Sequence, residues 1–114
     1  MRVQWTPEAV QDRLAIWDYL VERNPGAAAR MDTLFSKAAE RLSSHPELGK
    51  PGLIAGTREL FPHENYRLVY ELAEDAVWVL AVVHVARRWP PAERADYSSG
   101  ARKTHRSAAA SMPC

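Results

Sequence analysis

Cysteine is almost missing from this 114-residue sequence: the single one is Cys114, so no internal disulfide and no cysteine-based metal site can form. That usage fits a reducing cytoplasm. No run of about 18 apolar residues occurs, and the opening MRVQWTPEAVQD holds no apolar core of signal-peptide length, so neither membrane insertion nor export is expected. Net charge is nearly missing too, at +1. Up to Trp89 there are 11 basic and 12 acidic residues, and beyond it 4 and 2, so any polyanion must be met by a local patch. There is no internal repeat. Lys50, between Gly49 and Gly52, lacks both the Gly-Lys-Ser/Thr spacing and the strand-to-helix setting of a phosphate loop.

What is present suits one soluble globular domain, with 46% hydrophobic and 25% charged residues around a single core. Residues 2–5 alternate polar and apolar and predict a short strand. Thr6-Pro7-Glu8 then supplies an N-cap, a proline where no N–H is needed, and an acid at the positive end of a helix dipole. Val10, Leu14, Trp17 and Val21 follow at helical spacing, which predicts a first helix over residues 7–23 with that stripe as its core face. Asn24-Pro25 repeats the cap-plus-proline signal, so a second helix begins at once and the two form a hairpin. Its stripe is Ala27, Met31, Leu34, Phe35, Ala38 and Leu42, and residues 43–46 end it.

Residues 47–56 read as a loop. Three strands follow, at 57–61, 66–72 and 76–85, joined by turns at 62–65 and 73–75. The last strand is apolar on both faces, as a strand inside a sheet should be. The expected architecture is α+β: an N-terminal strand, a helical hairpin, then a three-stranded antiparallel meander, giving a mainly antiparallel four-stranded sheet. The domain spans residues 1–90, and residues 91–114, poor in large apolar side chains, form a tail expected to be disordered, with at most a helical turn at 92–97.

The strand region also carries four basic side chains, Arg58, Arg67, His84 and Arg87. RNA cleavage by a 2′-hydroxyl needs a base, cations for the phosphorane and an acid for the leaving oxygen. Arginine fits the second role, and histidine either of the others. Against that stand ordinary uses: salt bridges from Arg58 or Arg67 to Glu59, Glu64 or Glu71, and a backbone-bonded, partly buried His84. In a continuous strand His84 and Arg87 face opposite ways, so their convergence requires a turn near Ala86. Trp5, Trp17 and Trp78 read as core aromatics. Trp89 either stacks on a base or closes the core, and His45 sits at a helix end where a cation meets the last carbonyls.

The β-α-α-β-β-β order, with NPGAAARMDTLFSKAAERLSSHPELGKPG, GTREL, YRLVY and VVHVARRWP, resembles the ParE/RelE superfamily of toxins from type II toxin-antitoxin modules over residues 3–90. The resemblance implies a small growth-inhibiting toxin neutralised by a cognate antitoxin, with no cofactor. The hairpin with its PELGKPG exit looks like the ParE branch, whose studied members inhibit DNA gyrase. In the RelE branch, which cuts mRNA on the ribosome, Arg67 and Arg87 fall on catalytic positions and Arg58 falls where that branch has a lysine. Histidine-dependent relatives place that residue near the end of the last strand, as His84 is. A second lysine is replaced by Leu60, and Tyr97 lies downstream of the branch's C-terminal tyrosine. Gyrase inhibition is the first expectation, mRNA cleavage the second, and a non-toxic binding member of the family the third.

Overall fold

The computed structural model describes residues 1–91; the expectations for residues 92–114, Tyr97 included, lie outside the described residues. The chain runs β1 (Arg2–Trp5), α1 (Pro7–Arg23), α2 (Pro25–Ser44), β2 (Lys50–Pro51), β3 (Arg58–His63), β4 (Tyr66–Ala73) and β5 (Ala76–His84). The strands form one five-stranded sheet in the order β1-β5-β4-β3-β2. β1 lies parallel to β5 and every other pairing is antiparallel. The helical hairpin lies between β1 and the remaining strands in sequence and covers one face of the sheet.

Local chemistry sets the helix ends. Thr6 Oγ1 accepts the Ala9 N–H at 3.2 Å as N-cap of α1, and the same hydroxyl donates to Val79 O at 3.0 Å. One buried side chain therefore caps a helix and ties its start to the central strand. Asn24 serves two helices: its N–H donates to Leu20 O at 2.7 Å to close α1, and its Oδ1 accepts the Ala27 N–H at 3.1 Å to open α2. Pro25 at the first helical position completes the joint.

Two sequence expectations change. The 47–56 segment contains β2, whose Lys50 and Pro51 pair with Glu59 and Arg58. Pro51 fits there because an edge strand can spare the N–H that proline lacks. β3 also runs on to His63 through the expected turn, with a register shift between Leu60 and His63 that accommodates Pro62.

The sheet has two buried faces. Toward the helices, Leu68, Tyr70, Val77 and Val79 pack with Ala9, Ala38 and Leu42, and Tyr66 and Val82 pack with Phe35. On the outer face Val69, Trp78, Leu80 and Val83 cluster with Ile54 and Trp89. Trp89 closes this second core, being 8% exposed. Each such apolar side chain contributes about 1.5–3 kcal/mol on burial, and β5 supplies them to both sides. The β4-β5 hairpin turns on Glu74 (φ 54°) and Asp75 (φ 59°), both left-handed, as its two-residue loop requires.

Candidate functional site

Arg58 shares the helix-side face with its β4 partner Tyr70. Its Nη1 donates to Gly49 O at 2.7 Å and to Glu47 O at 3.3 Å. The Tyr70 hydroxyl donates to Pro46 O at 2.7 Å and accepts the Gly49 N–H at 2.9 Å. The two side chains together clamp the segment leaving α2. Gly49 is required there, since a Cβ would sit 2.8 Å from Glu59 O and 2.9 Å from the Tyr70 ring. Burial pushes the Tyr70 phenol above its ordinary value, with the Gly49 hydrogen bond and Arg58 pulling against it and Glu47 adding to the rise.

Arg67 points to the outer face. Its Nη1 meets Glu59 Oε1 at 3.1 Å, with the glutamate side chain 3% exposed and the arginine 16%. Glu59 Oε2 accepts the Leu53 N–H at 3.1 Å, so the carboxylate is held from two sides. The guanidinium also lies 5.8 Å from the centre of the Phe61 ring, which Lys50 approaches to 5.1 Å. The salt bridge expected as one use of Arg67 is the one it makes.

His84 and Arg87 occupy a third place. β5 stops at His84 and the chain turns, with the Arg87 N–H donating to His84 O at 2.9 Å and the Ala86 N–H donating to His84 Nδ1 at 3.0 Å. This is the break that convergence requires, and both residues line one cavity of about 610 Å³ with Tyr19 and Tyr66. The His84 ring meets Tyr66 edge-on, at 5.1 Å and 80°. Burial raises the Tyr66 phenol first, the nearby Tyr19 adds to the rise, and Arg87 opposes it.

The four residues are thus distributed over three environments. Tyr66 pairs with His84 and Arg67 with Val83, so Arg67 and His84 project from opposite faces of the sheet. The structure brings His84 and Arg87 together and does not bring Arg58 or Arg67 to them.

A different surface escaped sequence reasoning. Val10 and Leu14, expected in the core, are 43% and 50% exposed. With Val3, Trp5 and Trp17 they line an open apolar groove of about 590 Å³ between α1 and β1, whose outer edge has no strand partner among the described residues. α1 meets the sheet through Ala9, Asp12 and Ile16 instead. Arg13 clips the hairpin at the groove's rim: Nε donates to Asp32 Oδ1 at 2.7 Å, and Nη2 to Asp32 O at 3.0 Å and Ser36 Oγ at 2.6 Å. The signal for the groove was the apolar stripe itself, which looks the same whether a core or a partner covers it.

Residues 3–89 match the family described as the ParE toxin of the type II toxin-antitoxin system parDE. The chain is 36% identical over 86 residues to the protein named Toxin RelE2 of Caulobacter vibrioides, an overlap covering 75% of this chain and 97% of that protein. Its fold is similar to a chain of the chromosomal ParDE toxin-antitoxin system from P. aeruginosa, with TM-score 0.67, 21% identity, and coverage of 75% of this chain and 96% of that one. It is also similar to a YoeB/ParE toxin from Agrobacterium tumefaciens, with TM-score 0.54, 17% identity, and coverage of 74% and 98%. The chain belongs to the ParE/RelE superfamily and is the toxin of a type II toxin-antitoxin module, with a cognate antitoxin as its partner.

Proposed function

We propose that this toxin acts as ParE-like members do, inhibiting DNA gyrase by protein contact and breaking no bond itself. The observation that carries the reading is the Arg67–Glu59 pair on the outer face of the sheet, turned away from His84. A guanidinium already matched to a carboxylate 3% exposed is a structural cation, and freeing it for a phosphate would leave that buried charge unpaired. The antitoxin, in this reading, lays an apolar segment into the groove of Val3, Trp5, Val10, Leu14 and Trp17. A helix with apolar side chains at i, i+3/i+4 and i+7, or a strand added to β1, matches that surface.

Expression of the chain without its antitoxin tests the reading. Gyrase inhibition predicts early induction of the DNA-damage response with translation still running. Translation arrest with no DNA damage would overturn it.

A second reading, ribosome-dependent mRNA cleavage, is favoured by the relative named Toxin RelE2 and by the shared cavity of His84 and Arg87. It predicts cut transcripts in that same experiment, and their loss in His84→Ala and Arg67→Ala.

A further inference from the structure

Leu53 is 67% exposed, the most exposed large apolar side chain among the described residues, yet the loop that carries it is firmly held. The Gly52 N–H donates to Thr57 O at 2.8 Å, and Ile54 O accepts both the Thr57 N–H at 3.1 Å and the Thr57 hydroxyl at 2.6 Å. Gly52 has no room for a side chain, since a Cβ there would collide with Thr57 Oγ1. Ile54 is buried and anchors the loop in the outer core. The Leu53 N–H itself donates to Glu59 Oε2 at 3.1 Å, and Arg67 holds the other oxygen of that carboxylate. A loop ordered this thoroughly on folding has little conformational entropy left to lose on binding.

The Glu59–Arg67 pair joins Leu53 to a second exposed apolar group. Phe61 follows Glu59 by two positions on β3, is 41% exposed, and its ring centre lies 5.8 Å from the Arg67 guanidinium. Lys50 Nζ approaches the same ring to 5.1 Å and makes no salt bridge among the described residues. Since Glu59 is buried and matched by Arg67, this patch presents two apolar side chains and one uncompensated cation. One free cation is too few to hold a nucleic acid, which is bound through several phosphate contacts. Exposed leucine and phenylalanine beside a lysine fit a protein partner that offers an apolar recess with a carboxylate at its rim. β1 and β2 form the opposite edges of the sheet, so the patch is separate from the α1-β1 groove. We propose that Leu53, Phe61 and Lys50 form the surface with which the toxin contacts its target, the apolar pair entering a recess and Lys50 facing an acid on its rim. The proposal rests on the gyrase reading above and gives that contact its place on the toxin.

Supercoiling by purified gyrase, with the full-length toxin and its variants titrated in, tests this. Leu53 and Lys50 are exposed, so Leu53→Asp and Lys50→Glu should leave thermal unfolding unchanged, and Leu53→Ser repeats the first test without a charge beside Glu59. Leu53→Asp is expected to raise the toxin concentration for half-inhibition about tenfold or more, with Leu53→Ser shifting it in the same direction. Lys50→Glu should raise it about tenfold at low salt, and by less as added salt screens the charge. Leu14→Glu, the same kind of change in the other exposed apolar surface, should inhibit as the wild type does. If the wild type inhibits gyrase and Leu53→Asp and Leu53→Ser inhibit equally well, the proposed surface is overturned while the gyrase reading stands. If the wild type leaves gyrase fully active, the gyrase reading fails and the proposal falls with it.

Discussion

Arg67 and His84 lie on adjacent strands one register step apart and face opposite sides of the sheet, because Arg67 pairs with Val83 while His84 pairs with Tyr66. The alternation of side chains along a strand makes this separation a property of the backbone, which rotamer changes cannot undo. It keeps these two basic side chains from meeting on one face of the sheet.

The Arg67–Glu59 pair is therefore expected to act on stability. Arg67→Met leaves a carboxylate 3% exposed without its cation and should cost about 3–5 kcal/mol in urea unfolding. Adding Glu59→Gln removes the charge while keeping an acceptor for the Leu53 N–H, and should restore at least half of that loss. A cost below about 1 kcal/mol for Arg67→Met would mark the pair as an ordinary surface ion pair.

Docking of the antitoxin in the α1-β1 groove predicts a separable phenotype. Leu14 is 50% exposed, so Leu14→Glu should unfold nothing and should keep the toxin active. It places a charge in the middle of the apolar groove, and antitoxin affinity should fall about 10- to 100-fold, enough for growth inhibition to persist under co-expression. Unchanged affinity would move the docking surface elsewhere.

Much of the fold was legible in the sequence because its punctuation is local. Thr6-Pro7 and Asn24-Pro25 mark helix starts whose capping bonds form as their residue types require, and α1 spans the expected residues. β2 was not legible: a two-residue strand has no periodicity, and it is held by long-range contacts to Arg58 and Glu59. The site was legible only in part. The alternation rule foresaw that His84 and Arg87 need a turn to meet, and the turn is there. The separation of Arg67 from His84 needed the β4-β5 register, and the exposure of Leu14 depended on which helix face the sheet accepts.

The β4-β5 turn offers a stability gain away from every surface discussed above. Glu74 and Asp75 both hold positive φ, which costs most residues roughly 1 kcal/mol and suits Asn-Gly. Replacing the pair with Asn-Gly should stabilise the protein by about 0.5–1.5 kcal/mol, read as a rise in the urea midpoint at constant slope. A fall in the midpoint would mean that the native side chains compensate for the strain.

Alkaline pH should destabilise the fold through Tyr66 and Tyr70. Burial raises both phenols above the ordinary 10.0, so the folded state holds these protons more tightly than the unfolded chain. Their contribution is fully present below about pH 10 and is lost as pH rises through the folded values. Tyrosinate absorbance should show late-titrating groups, and Tyr66→Phe and Tyr70→Phe should each remove one. Tyr70→Phe should also cost about 1–3 kcal/mol, by orphaning Pro46 O and the Gly49 N–H.

Proposed inhibition of DNA gyrase by contact is tested most directly by supercoiling of relaxed plasmid by purified gyrase with increasing toxin. Dose-dependent loss of supercoiling is expected, relieved by the antitoxin and retained in His84→Ala. Full supercoiling at a large molar excess of toxin would contradict it.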